Sequence, residues 1–125
     1  MKKNFSLPFV FALYLSVLGA LGCHHEEGPP PLAADQIPSA FATGFKDAKP
    51  EVKDLADKVV KALEAKDYPA AHEAVQNLAM SPGATKSQQT LAARALVSVT
   101  ELLQTAQSQG DEKAAEALKV YKGSK

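Results

Sequence analysis

Apolar and polar positions divide the chain into two unlike parts. Residues 5–22 carry no charge at all, whereas from about residue 36 apolar residues return every three or four positions among charged and amide-bearing ones. The second pattern is that of helices with one buried face. A short helix is predicted from about Pro38 to Lys46, with Ile37, Phe41 and Phe45 four apart. Pro50 suits a first helical position, and Val52, Leu55, Ala56, Val59, Val60 and Leu63 then fall on one face. Opposite them, Asp54–Lys58 and Asp57–Lys61 have the spacing of intrahelical ion pairs on a solvated face.

After a tight turn at Lys66-Asp67-Tyr68, Pro69 restarts a helix through about Met80. Its expected inner face is Ala71, Ala74, Val75 and Leu78, and Ser81-Pro82-Gly83 stops it. Thr85 and Gln88 have capping-box spacing and open the longest helix, which runs to about Ser108. Ala92, Ala95, Leu96, Val99, Leu102, Leu103 and Ala106 form its apolar face. Gly110 ends it, and Asp111 is placed to cap a last helix carrying Ala114, Ala117, Leu118 and Tyr121. No run alternates as a strand would, so the expected class is all-α.

Two passages rhyme: "EAKDYPAAHEAVQNL" (64–78) and "QSQGDEKAAEALKVY" (107–121). At a shift of 43 residues, Ala71 falls on Ala114, Val75 on Leu118 and Leu78 on Tyr121. Asp67-Tyr68, Ala71, Val75, Leu78 and Pro82 resemble the turn and second helix of the tetratricopeptide (TPR) hairpin. Val59 and Ala62 stand where that family has a small residue and a tyrosine, and its repeat is about 34 residues long. The expected architecture for residues 36–125 is a small array of antiparallel hairpins, either TPR-like or an irregular four-helix bundle. Four aromatics (Phe41, Phe45, Tyr68, Tyr121) and many alanines supply its core, so it is expected to be thin.

The amino-terminal part reads as a targeting segment. Lys2 and Lys3 precede the uncharged run, which ends in small residues and an abrupt "HHEE". Ala20-Leu21-Gly22-Cys23 resembles the lipobox of bacterial lipoproteins, with the usual order of the first two residues exchanged. The resemblance implies cleavage of residues 1–22, a diacylglyceryl thioether on Cys23, membrane lipid as a partner, and location in the cell envelope. His24 after the cysteine, where aspartate would retain such a protein at the inner membrane, implies the outer membrane, facing the periplasm. Residues 23–35, "CHHEEGPPPLAAD", read as a tether whose three prolines favour extended polyproline II. Fully extended in that form, it would reach about 40 Å.

Charge and candidate chemistry narrow the function. Loss of residues 1–22 leaves 103 residues with 12 basic and 14 acidic side chains. No basic stripe remains, so nucleic acid is not an expected partner. A free amine at Cys23 would place His25 third, a spacing suited to copper or nickel, with His24 and the thiol as further donors. Acylation converts the sulfur to a thioether and the amine to an amide, which removes the strong donors. Cys23, His24 and His25 therefore mark a lipidation site first and a metal site only second. His72 and Met80 lie about 12 Å apart along one helix and cannot share a haem iron; His72 is expected half-exposed. No nucleophile stands in a recognisable catalytic setting, so neither an enzyme nor a cofactor is expected.

The polar side of the longest helix is nearly uncharged (Gln88, Gln89, Ser98, Thr100, Gln104, Thr105), with Arg94 and Glu101 as exceptions. Uncharged donors and acceptors are cheaper to desolvate than ions, which suits a contact face. The expectation is a lipid-anchored, non-catalytic helical module with a protein partner. The alternative is an exported metal- or ligand-binding lipoprotein that uses the histidine-rich tether or a helix groove.

Overall fold

Three of the helices carry a proline in the first turn, which its fixed φ suits and where its missing N–H would have no partner. The computed structural model describes residue 28 and residues 30–124. It contains a 3-10 turn, Ala34–Gln36, and five α-helices: α1 Ile37–Gly44, α2 Pro50–Glu64, α3 Tyr68–Ala79, α4 Lys86–Ser108 and α5 Glu112–Gly123. Pro38, Pro50 and Pro69 sit in the first turns of α1, α2 and α3. Thr85 and Gln88 cap α4 reciprocally: the Gln88 N–H donates to Thr85 Oγ1 and the Thr85 N–H to Gln88 Oε1. There is no strand among the described residues; the chain is all-α.

The two tight turns share one construction. At the end of α2 the Asp67 N–H reaches the Ala62 carbonyl (2.8 Å) and the Lys66 N–H that of Leu63 (3.0 Å). At the end of α4 the Asp111 N–H reaches Ala106 and the Gly110 N–H reaches Gln107, both at 3.0 Å. Both are Schellman closures, and both put one residue at positive φ: Lys66 at 55° and Gly110 at 94°. The next residue then opens the following helix, because the carboxylates of Asp67 and Asp111 accept from the N–H groups of Ala70 and Ala114.

The turns therefore correspond at a shift of 44 residues, while the buried faces still match at 43. One residue is about 100° of helix, so α5 is rolled by that amount relative to α3. The cause is packing: α3 lies between α2 and α4, whereas α5 rests on α4 and only the edge of α3. The hairpin turn repeats; the packed unit does not.

Helices α1 to α4 close a ring. Each packs on two neighbours, and the backbones of the diagonal pairs, α1/α3 and α2/α4, do not approach. That is an irregular four-helix bundle with one short member, in place of an open ladder of stacked hairpins. Ile37, Phe41 and Phe45 share one buried core with Val52, Ala56 and Val59 of α2, Ala71, Val75 and Leu78 of α3, and Ala92, Ala95 and Val99 of α4. The two phenylalanine rings meet edge to face at 4.9 Å. Gly44, which weakens α1 by propensity, leaves room for Leu91: a Cβ there would lie 2.5 Å from Leu91 Cδ2, so the end of that side chain would have to turn aside.

Helix α4 has 23 residues against 15 in α2 and 12 in α3, and spans about 35 Å. Leu103 and Ala106 near its end meet Ala114 and Leu118 in a second, smaller core, with Tyr68 and Ala117 at its edge. The spaced pairs Asp54–Lys58 and Asp57–Lys61 do not close; the ion pair among the described residues is Lys46–Asp47 at 3.9 Å, fully on the surface.

Candidate functional site

Cys23, His24 and His25 lie outside the described residues. The end of the stretch read as tether does not, and it is packed. Leu32 is buried in the main core. Pro29, Pro30 and Pro31 carry no N–H, so this segment offers carbonyl oxygens and needs donors. Helix α4 provides them: Arg94 Nε donates to the Pro30 carbonyl at 2.8 Å, and the Ser98 hydroxyl donates to the Leu32 carbonyl. The first free N–H after the prolines, that of Leu32, donates to the Arg94 carbonyl at 3.3 Å. The packed residues thus include Pro30 to Leu32, ahead of the helical residues from 36.

This strap gives the uncharged side of α4 its first use. Ser98 is buried because the strap covers it. Gln88 and Gln89 also turn inward, their amides donating to the Gly44 and Ser81 carbonyls. Thr100 bonds its own helix at the Leu96 carbonyl. Part of the face that composition marks for contact is therefore occupied by the chain itself. Beside the strap, Pro31, Ala33, Ala34, Ser98, Glu101, Leu102 and Thr105 line an open groove of about 410 Å³. The signal for this contact is in the sequence, as a donor-free proline run and a serine at the edge of an apolar stripe, but their meeting is not.

His72 departs from expectation. It is 5% exposed, with its ring edge-to-face against Tyr121 of α5 at a centroid distance of 4.8 Å. Its Nε2 is buried and has no hydrogen-bond partner. Burial holds the imidazole below its ordinary pKa, so it stays neutral. Asp67, Glu73, Gln76, Val120 and Tyr121 line a shallow groove of about 480 Å³ over it. Its position, three residues before Val75 and next to Ala71, puts it on the flank of the apolar stripe. The stripe is wide enough to include it only because α5 covers that flank.

The remaining surfaces are open. A groove of about 620 Å³ runs between the end of α4 and α5, lined by Gln107, Ala115, Glu116, Leu118, Lys119, Val120 and Lys122. Val120 is 69% exposed at its rim, and Met80, at the opposite end of the bundle, is 66% exposed. Among the described residues no three His, Cys, Asp or Glu side chains gather as metal ligands, and no helix is long and apolar enough to cross a membrane. Comparison with family models, curated proteins and solved structures returns no match to this chain.

Proposed function

We propose that this is a lipid-anchored envelope protein whose helical bundle binds a protein partner without catalysing a reaction. The observation that carries the reading is the sole cysteine, placed directly after Ala20-Leu21-Gly22 at the end of an uncharged run that follows two lysines. By resemblance to lipoproteins, Cys23 takes the acyl groups and His24 directs the product to the outer membrane, facing the periplasm. The shape of the bundle supports an interaction role: its grooves are shallow and open, and Val120 projects from the α5 rim into solvent. Grooves this open suit a contact with another protein better than a small molecule, which is held in an enclosed pocket.

Mass spectrometry of the mature amino-terminal peptide is expected to find residue 23 as the first residue, acylated on sulfur. Cys23→Ser is expected to block processing and to release the protein from the membrane fraction. A chain that stays membrane-bound and correctly cut with serine at 23 would reject the anchor. A photo-crosslinking side chain at position 120 is expected to trap one partner on intact cells; recovery of the uncrosslinked monomer alone would reject the module.

A further inference from the structure

We infer that the strap is a leash-shortener: by docking residues 30–36 on α4 it holds the bundle close to the lipid surface with the Arg94 flank turned toward it. The inference rests on the anchor at Cys23 proposed above and adds the orientation and reach of the domain. An extended chain covers at most about 3.6 Å per residue. From Cys23 to Pro30 there are seven such steps, so the docked bundle stands within about 25 Å of its acyl chains. Were the strap free as far as Ile37, fourteen steps would allow about 50 Å. Docking halves the reach, and it also favours the Arg94 flank as the leading face, because the docked strap begins there at Pro30.

The strap is suited to that task. It closes contacts 64 and 66 residues apart in sequence, from Arg94 to Pro30 and from Ser98 to Leu32. A proline-rich extended segment loses little conformational freedom on docking. Its hold is also modest, consisting of one buried leucine and three hydrogen bonds on one flank of α4. The 3-10 turn that continues it touches α1 and α4, and neither α2 nor α3. Thr90, exposed one turn before Arg94, is therefore placed on the lipid-facing side, and Asn77, exposed in the groove between α2 and α3, on a side the strap does not touch.

The test uses the full acylated protein in vesicles of phosphatidylethanolamine and phosphatidylglycerol with an acceptor dye on the headgroups. Acylation consumes the Cys23 thiol, so Thr90→Cys or Asn77→Cys supplies the single site for a donor dye. Energy transfer is expected to be stronger from position 90 than from position 77. In the Leu32→Ser/Arg94→Ala background the difference is expected to vanish, with the helical circular dichroism unchanged. Equal transfer from the two sites in the parent protein overturns the inference, as does a difference that survives the double substitution with its fold intact. A chain that mass spectrometry shows to be unacylated overturns the anchor and this inference together; an acylated chain with equal transfer overturns this inference alone.

Discussion

His72 and Lys66 are the two residues whose surroundings set their behaviour most directly. His72 is neutral in the folded protein because burial lowers its pKa from about 6.5. The unfolded chain keeps the ordinary value and takes up the proton first as pH falls. Stability is thus complete above about 6.5 and is lost as pH drops below it toward the lowered folded value. Asp67, which caps α3, and Glu73 within it line the same groove but lie exposed to water and give no buried counter-charge. Urea midpoints measured on either side of pH 6.5 are expected to show this loss, and His72→Leu is expected to remove it. Lys66 stands at φ 55° in a turn where glycine is the usual occupant. Lys66→Gly is expected to raise stability by about 0.5–1 kcal/mol, since it removes the steric cost of that conformation. A fall in the thermal midpoint would contradict it.

At the scale of elements, α5 is more weakly held than α3. It joins the molecule through Ala114 and Leu118, with Ala117 and Tyr121 partly covered, whereas α3 is buried along Ala71, His72, Ala74, Val75 and Leu78. Local opening follows the amount of buried apolar contact. Amide exchange in α5 is therefore expected to be faster than in α3, and Leu118→Ala, at a cost of about 2–4 kcal/mol to that contact, should release α5 and leave α1 to α4 protected. Uniform loss of protection in all five helices would show instead that the two cores fold as one. The element limits were largely legible in sequence. Pro50, the Thr85–Gln88 box, Gly110 and Asp111 act on their own neighbours, so their effect needs no knowledge of the fold. The short 3-10 turn was not legible, because it forms where the strap meets α4.

For the whole molecule, the decisive contacts are those that close the ring. Phe41 and Phe45 fill the space between α2 and α4 that stacked hairpins would leave open. Phe41→Ala is expected to cost about 3–5 kcal/mol, a large share of the stability of so small a domain. Cooperative unfolding at a much lower urea concentration would report it, and an unchanged midpoint would mean that α1 is dispensable. The turns are legible from local residues, but the assembly is not, because the one-residue roll of α5 and the docking of α1 both depend on neighbours distant in sequence. The candidate site divides in the same way. Cys23 is marked by the residues just before it, whereas the strap on Arg94 and Ser98 is invisible to any local pattern.

The sequence by itself determined the all-α class, the five helices and their caps, and the apolar stripe on each. These follow from backbone sterics, capping and periodicity, which operate over three or four residues. Only the tertiary structure decided that four helices close a ring, that His72 is buried, and that the stretch from Pro30 to Leu32 packs on α4. Those outcomes depend on which surfaces meet. Arg94 and Pro30 are 64 residues apart, and only the fold brings the donor to the carbonyl that needs it.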